Sequence, residues 1–362
     1  MNVKQKMTTT VSELVTRINN YKSRSHYENS CFQGHCPTTE EIKNDRVKSL
    51  ANRLKAGSYK ETLTNILEWQ DRNLSFWHER HPISSVCMYS LGGSLIIFVI
   101  GFVMNLFSFI IWRIQILNWF IPFSVAMLGG SAVTAFTIGW MIRSNRRIPV
   151  WEGLKNVFKP SLSINALLEN KLGICRDYAK LTACLLLNIY PEADIYFAYA
   201  PSHVATGIKV DNELYMLDQR LPILTIGKWK DYRHQKRRQQ RKLEQLGEKC
   251  LIEADMKPFL SKTTAPLDTR KLATRMTELL NVENEGVNEP TLVLNIPWKK
   301  GAVMYEDNEL VNYSLARRLK TKTSTELIKG RQIKRIEVDR QDDDITFVYF
   351  NLDTVSANMA HA

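Results

Sequence analysis

The chain of 362 residues is long enough for two or three domains, and its 44% hydrophobic and 24% charged residues exclude wholesale disorder. The formal net charge of +12 does not indicate a dedicated nucleic-acid-binding protein, because the positive excess is spread over both sides of an apolar region. Six scattered cysteines in a chain of this length do not indicate a disulfide framework. The opening residues, MNVKQKMTTT, lack the apolar run of a signal peptide, so we expect a reducing compartment.

The N-terminal part divides into a flexible or helical segment, 1–39, and a helical lead-in, 40–82, to the domain that follows. Thr38 or Thr39 can cap a helix that has glutamates in its first turn. Apolar residues then recur at helical spacing, and Gly57–Ser58 separates two helices. We expect the second helix to continue through Phe76 and Trp77.

Four potential zinc ligands lie in the stretch HYENSCFQGHC, namely His26, Cys31, His35 and Cys36. The adjacent His35–Cys36 pair is awkward for a tetrahedral site, and the paired CxxC spacing of structural zinc sites is missing. The sequence therefore favours a reduced loop over a metal site, and we expect neither a metal nor an organic cofactor.

Two apolar tracts follow, at 83–112 and 116–142, and neither contains Asp, Glu, Lys or Arg. Each exceeds the ~20 residues that a helix needs to cross a bilayer. The short connection around Arg113 predicts a tight transmembrane hairpin. A channel or transporter is disfavoured, because neither tract has an ionisable residue in its interior.

The orientation of the hairpin follows from the positive-inside rule. Arg143, Arg146 and Arg147 crowd directly after the second tract, whereas the connecting loop has only Arg113. We therefore expect a two-span protein of the cell membrane whose termini and soluble parts are cytoplasmic, with membrane lipid as a partner.

After the hairpin the sequence predicts two helices, from Ile164 to Leu172 and from Arg176 to Ile189. After Ile189 the apolar residues recur at every second position, which is typical of strands. DIYFAYA, HVATGIKV and ELYMLD predict three strands, and Asp211–Asn212 joins the last two in a two-residue turn.

Residues 230–362 are predicted as a basic helix and a small α/β region with a helix near Leu272–Leu280 and strands at TLVLNI and ITFVYF. The acidic run Asp342–Asp344 is a turn before the last strand. The dense basic stretch Lys228–Lys242 is most simply a solvated helix face. Attraction to anionic lipid headgroups is a second interpretation. Nucleic-acid binding is the third, without a recognised motif to support it.

Three residues, Cys175, His203 and Asp218, are of the types that nucleophilic catalysis by cysteine requires. Cys175 opens an apolar helix, where the helix dipole and free N–H groups lower a thiol pKa and can hold an oxyanion. If the turn has two residues, Ala205 lies opposite Asp218, and His203 projects from the same face on the diagonal. An imidazole beside a carboxylate supplies the base and the orienting group that a cysteine nucleophile needs. Cys184, among leucines, is predicted to be core.

Cys175 in GICRDYAKL, His203 before a strand and Asp218 in LYMLD together resemble the transglutaminase-like superfamily, including uncharacterised archaeal membrane-anchored members. DRVKSLANRLKAG and SINALLENKLG are similar to the helical lead-in of those domains. The resemblance covers roughly 40–80 and 150–229. It implies a papain-like fold with a Cys–His–Asp triad, interrupted here by the hairpin.

The sequence thus predicts an α+β protein with a papain-like, transglutaminase-like catalytic core at 143–229 and a transmembrane hairpin, 83–142, inserted before the catalytic cysteine. The expected function is a membrane-anchored cysteine enzyme that acts on protein or peptide, a peptidase or amidohydrolase if water is the acceptor and an acyltransferase if an amine is. Hydrolysis is favoured, and nucleic acid is not expected as a partner. The alternative is a non-catalytic, membrane-tethered protein-interaction module that retains the fold.

Overall fold

The structure is a computed structural model that describes eleven stretches of the chain in two compact units. One unit is formed by residues before and including Leu74 together with those from Cys175 onward, and the other by residues 75–174. The described residues are 36–77, 80, 156, 159, 161–200, 203–234, 242–246, 251–260, 266–282, 293–326 and 331–354.

The first unit contains both helices and strands, so that the described part of the chain is of mixed α/β class. The helices of both units are α1 (Thr39–Ile42), α2 (Asp45–Leu54), α3 (Tyr59–Asn73), α4 (Ile164–Asn170), α5 (Cys175–Ile189), α6 (Ile226–His234), α7 (Thr269–Leu279), α8 (Gly301–Met304) and α9 (Glu309–Glu326). The strands are β1 (Ser75–Phe76), β2 (Leu172–Gly173), β3 (Ile195–Ala200), β4 (His203–Val210), β5 (Glu213–Leu217), β6 (Leu224–Thr225), β7 (Lys242–Leu246), β8 (Leu251–Ala254), β9 (Val293–Trp298), β10 (Arg331–Gln341) and β11 (Asp344–Thr354).

The two apolar tracts predicted to form a transmembrane hairpin, 83–112 and 116–142, lie outside the described residues. Within the ranges that the structure describes, no helix has both the length and the apolar character needed to cross a membrane.

A six-stranded sheet in the order β6-β5-β4-β3-β7-β8 organises the first unit. Its strand pairs are all antiparallel, both where a short hairpin joins neighbours, as in β4–β5, and where a long connection separates them, as in β3–β7. Strands β7 and β8 follow residue 229, where the sequence placed the end of the catalytic core, yet they extend the same sheet. The predicted basic helix covers only part of the stretch 228–242: α6 ends at His234, and Lys242 already begins β7.

Helix α5 is buried between this sheet and the lead-in helices, because its apolar residues surround it rather than forming one stripe. The hydroxyl of Thr206 on β4 donates to the carbonyl of Ala179 at 2.7 Å. On the other side Gln70 of α3 donates to Thr182 at 2.8 Å, and Lys180 pairs with Glu41 at 2.6 Å. The segments before residue 75 and after residue 174 therefore pack together in one unit.

Side-chain hydrogen bonds cap the N-termini of the lead-in helices. Thr38 forms a capping box with Glu41, and Ser58 caps α3 by accepting from the Glu61 N–H. The buried positions of α2 are Val47, Leu50, Ala51 and Leu54, which match the predicted helical spacing.

The prediction that the second lead-in helix continues through Phe76 and Trp77 is wrong. The helix ends at Asn73, and Leu74 is extended, with φ −116° and ψ 138°. In the second unit, Ser75–Phe76 pairs in parallel with Leu172–Gly173. This pairing also ends the helix predicted to run to Leu172, since Lys171 adopts a left-handed conformation with φ 53° and the chain turns into β2.

The C-terminal part of the first unit adds a three-stranded antiparallel sheet in the order β10-β11-β9. Its core includes Trp298, Phe347 and Tyr349 from the sheet, together with apolar residues of α7 and α9. The turn predicted at Asp342–Asp344 joins β10 to β11, with Asp342 at φ 52°.

Candidate active site

The β4–β5 hairpin positions two of the three predicted triad residues. Val210 pairs with Glu213, and both residues of the Asp211–Asn212 turn have positive φ, at 49° and 64°. Asn and Asp tolerate this conformation, which matches the twist of two-residue hairpins. The ladder runs to Thr206–Leu217, so its next position sets Ala205 opposite Asp218. The predicted register is therefore present.

His203 and Asp218 are joined across this hairpin. The His203 Nε2 lies 2.6 Å from Asp218 Oδ1, and their side chains are 13% and 12% exposed. We assign the Nε2 proton to this bond, because a carboxylate can only accept. The other ring nitrogen, Nδ1, is then the one available to Cys175, whose thiol is hydrogen-bonded to His203.

Cys175 is the first residue of α5 and is only 5% exposed. Burial raises the pKa of its thiol, but the hydrogen bond and charge of His203, the Val204 backbone and the charge of Arg176 together outweigh burial, so that the pKa is lowered. The bond between Thr206 and Ala179 fixes α5 against β4 within four residues of Cys175 and three of His203. The thiol is thus held beside the imidazole by packing of a helix on a strand.

Two residues of α6 complete the site, and the sequence did not single them out. The Trp229 indole N–H donates to Asp218 Oδ2 at 2.8 Å, and Arg233 Nη2 donates to the same oxygen at 2.6 Å. The Trp229 ring also packs near the His203 ring, with centroids 6.3 Å apart. The only sequence signal was their position on one helical face, at i and i+4. The sequence pattern predicts a solvated helix face for Lys228, but the structure shows that its side chain is buried.

The electrostatics favour an imidazolium at position 203. Burial lowers the pKa of His203, and Arg233, whose Nη2 lies 2.8 Å from Nε2, lowers it further. The charge and hydrogen bond of Asp218 and the bond to Cys175 outweigh both and raise the pKa to about 9. Burial would raise the pKa of Asp218, but His203 and Arg233 hold it well below its usual range.

The loop that carries Asp218 is braced by the C-terminal region. Ser314 of α9 accepts the Ile223 N–H at 2.9 Å in a buried position. Glu306 accepts from the Thr225 hydroxyl, and Tyr215 of β5 is hydrogen-bonded to Asn308. The region after residue 254 therefore supports the strands and helix that hold the triad.

Two of the remaining candidates, Cys184 and Cys36, are within the described residues. Cys184 is fully buried, as predicted, and burial raises its pKa. Of the zinc candidates only Cys36 is within the described residues, where its side chain is buried. Those described residues contain no cluster of three or more His, Cys, Asp and Glu that could hold a metal ion.

A lowered thiol pKa beside a raised imidazole pKa favours a thiolate–imidazolium pair, the form in which cysteine attacks a carbonyl carbon. Cys175, His203 and Asp218 are thus brought together in the geometry of an acyl-transfer triad.

Two archaeal proteins are similar to part of this chain. A UPF0252 protein of Methanocaldococcus jannaschii is 27% identical over 213 residues, 52% of this chain and 58% of that protein. A UPF0252 protein of Pyrococcus horikoshii is 34% identical over 125 residues, 30% of this chain and 38% of that protein. The chain therefore matches less than two thirds of either relative's length. No solved structure matches the chain. The family model described as a transglutaminase-like domain matches residues 45–245, more than half of the chain, and so this chain belongs to the transglutaminase-like family.

Proposed function

We propose that this protein is a membrane-anchored cysteine enzyme that cleaves amide bonds of a protein or peptide substrate by acyl transfer. The observation that carries the proposal is the hydrogen-bonded series Cys175–His203–Asp218, in which the thiol pKa is lowered and the imidazole pKa is raised. This combination is typical of an activated nucleophile and its base.

The reaction follows from the roles of the three side chains. The Cys175 thiolate attacks the substrate carbonyl carbon, and backbone N–H groups at the start of α5 stabilise the oxyanion. When the C–N bond breaks, His203 gives its proton to the leaving amine, and an acyl thioester remains on Cys175. His203 then takes a proton from the acceptor as it attacks, and the thiolate is released. Water as acceptor gives hydrolysis and an amine gives transamidation; we propose hydrolysis.

We further propose that the tracts 83–112 and 116–142 form a two-span anchor in the cell membrane, with the termini and the triad in the cytoplasm. The parallel pairing of Ser75–Phe76 with Leu172–Gly173 supports an even number of spans, since the chain enters and leaves its second unit side by side. Membrane lipid is then a partner, and the proposal includes no role for nucleic acid. Proteolysis of sealed vesicles of known orientation tests the topology: cleavage of the segment 150–362 from the outer face would contradict it.

The burial of Cys175, at 5% exposure, favours a second candidate, a membrane-tethered interaction module that keeps the fold without turnover. Both candidates predict the same triad geometry, so that only reactivity separates them.

Labelling with an activity-directed electrophile separates the two. The full chain in detergent is treated with a peptidyl electrophile, and the modified residue is mapped by mass spectrometry. Labelling at Cys175 that His203→Gln abolishes, together with cleavage of a peptide library, supports the enzyme. Cys184→Ser serves as the matched control and should label as the wild type does. A folded protein whose Cys175 reacts no faster than a free thiol would instead support the interaction module.

A further inference from the structure

A cleft that contains none of the triad residues lies in the first unit, between α3, the loop after Asp218, and α9. Its volume is about 130 Å³. A cleft of this size has room for several water molecules or one small ion. Basic side chains from all three segments line it, namely Arg72, Arg220, Arg318 and Lys322.

The two carboxylates of the cleft are paired with arginines, two of which, Arg72 and Arg220, also line the cleft. Glu68 is 9% exposed and accepts two hydrogen bonds from Arg317, at 3.1 and 2.9 Å. Asp71 pairs with Arg220 at 2.7 Å. Neither carboxylate forms a hydrogen bond or an ion pair with Arg318, so that the lining keeps an excess of positive charge.

Arg318 forms no ion pair with either carboxylate of the cleft, and of the two only Asp71 attracts it, from a distance. Its side chain is partly buried, and its guanidinium has no hydrogen bond or ion pair with any residue that the structure describes. Burial lowers the pKa of Arg318, and attraction by Asp71 opposes that effect. An arginine nevertheless stays charged at neutral pH. Removing a charge from water without a partner costs free energy, which a bound anion would offset.

We propose that this cleft binds a small phosphate-type oxyanion, free phosphate or a phosphate monoester, with Arg318 as its principal ligand-binding residue. Arginine and lysine donors from three separate segments suit an anion with several acceptor oxygens, and two of them, Arg72 and Arg220, are shared with the carboxylates Glu68 and Asp71. The volume admits a single phosphate group and excludes a folded polypeptide. This site goes beyond the proposed acyl transfer, because none of its side chains belongs to the triad.

Isothermal titration calorimetry on the full chain tests the proposal. Inorganic phosphate, glycerol 3-phosphate and acetate are titrated at equal ionic strength. We expect saturable binding of one phosphate per chain and weaker binding of acetate. Arg318→Gln should raise the phosphate Kd about tenfold or more, because a charge-assisted bond is lost. Uptake of glycerol 3-phosphate with similar affinity would identify the ligand as a monoester, and uptake of phosphate alone as the free ion.

The matched control is Lys320→Gln, which removes an exposed positive charge from the same helix outside the cleft. It should leave the phosphate Kd unchanged. Arg220→Gln, at a side chain that is 73% exposed, gives a second test should Arg318→Gln fail to fold. The proposal is overturned if phosphate does not saturate, if acetate binds equally well, if the folded cleft variants keep the wild-type Kd, or if Lys320→Gln weakens binding as much as they do. None of these outcomes depends on whether the protein has peptidase activity.

Discussion

Replacing Asp218 by Asn should uncouple the nucleophile from its base while the fold is kept. Asn has the same shape, but it removes the negative charge that outweighs burial and Arg233 at His203. The rise of the His203 pKa from 6.5 to about 9 corresponds to about 3 kcal/mol of preference for the imidazolium, at ~1.36 kcal/mol per tenfold change. Without Asp218 that preference disappears, and turnover should fall by about two to four orders of magnitude.

The pH dependence of Cys175 alkylation shows in which direction Asp218→Asn changes the reactivity of the thiol. In the wild type the lowered Cys175 pKa keeps the thiolate present below the ordinary thiol range, and His203 stays protonated up to about pH 9. In Asp218→Asn the imidazolium is lost at lower pH, so that the thiolate loses its partner. Iodoacetamide labelling of Cys175 at pH 7 should then slow by about two orders of magnitude, and its profile should move to higher pH.

The matched control is Asp194→Asn, directly before β3, where the carboxylate contacts Lys209 and Gln245 instead of the triad. It should leave the labelling profile unchanged. Circular dichroism confirms that both variants are folded. If Asp218→Asn labels at the wild-type rate and pH, the carboxylate does not support the thiolate, and the reasoning from charge to reactivity is refuted.

Three further perturbations probe the supports of the site. Arg233→Gln should raise the His203 pKa above about 9, because the positive charge of the guanidinium lowers that pKa. NMR titration of the imidazole measures the change, and a lower pKa in the variant would contradict the prediction. One residue inserted in the Asp211–Asn212 turn should abolish the fast thiol labelling of a folded protein, since a one-residue slip reverses the faces of a strand; retained labelling would separate His203 from the nucleophile. Ser314→Ala should lower the free energy of unfolding by about 1–3 kcal/mol, because it leaves the buried Ile223 N–H without its acceptor; urea unfolding checks this, and an unchanged midpoint would refute it.

Local patterns were sufficient to predict the hairpin that brings His203 and Asp218 together. Alternation of period two and a two-residue Asp–Asn turn both act over neighbouring residues, and together they fix which side chains share a face. The helix opening at Cys175 was predicted within one residue for the same reason, since a long apolar run follows it.

Features that depend on distant parts of the chain were not predictable in this way. The strand at Ser75–Phe76 forms because it pairs with Leu172–Gly173, almost a hundred residues later, and this pairing overrides the helical pattern. Trp229 and Arg233 were interpreted as part of a charged surface stretch, because nothing in their own neighbourhood shows that α6 packs beside the triad. A basic side chain looks the same in a sequence whether it faces water or a buried carboxylate.

The placement of α6 explains how the C-terminal region supports the arrangement of Cys175, His203 and Asp218. Trp229 lies in one apolar cluster with Met216 of β5 and Leu243 of β7, against which Met304 also packs. Met304 belongs equally to the periphery of the C-terminal core. Because the same helix aims Trp229 and Arg233 at Asp218, the packing that fixes α6 also fixes the carboxylate that orients the imidazole. The region beyond β8 therefore acts on the triad by holding α6 and the loop after Asp218, without contributing a reacting group.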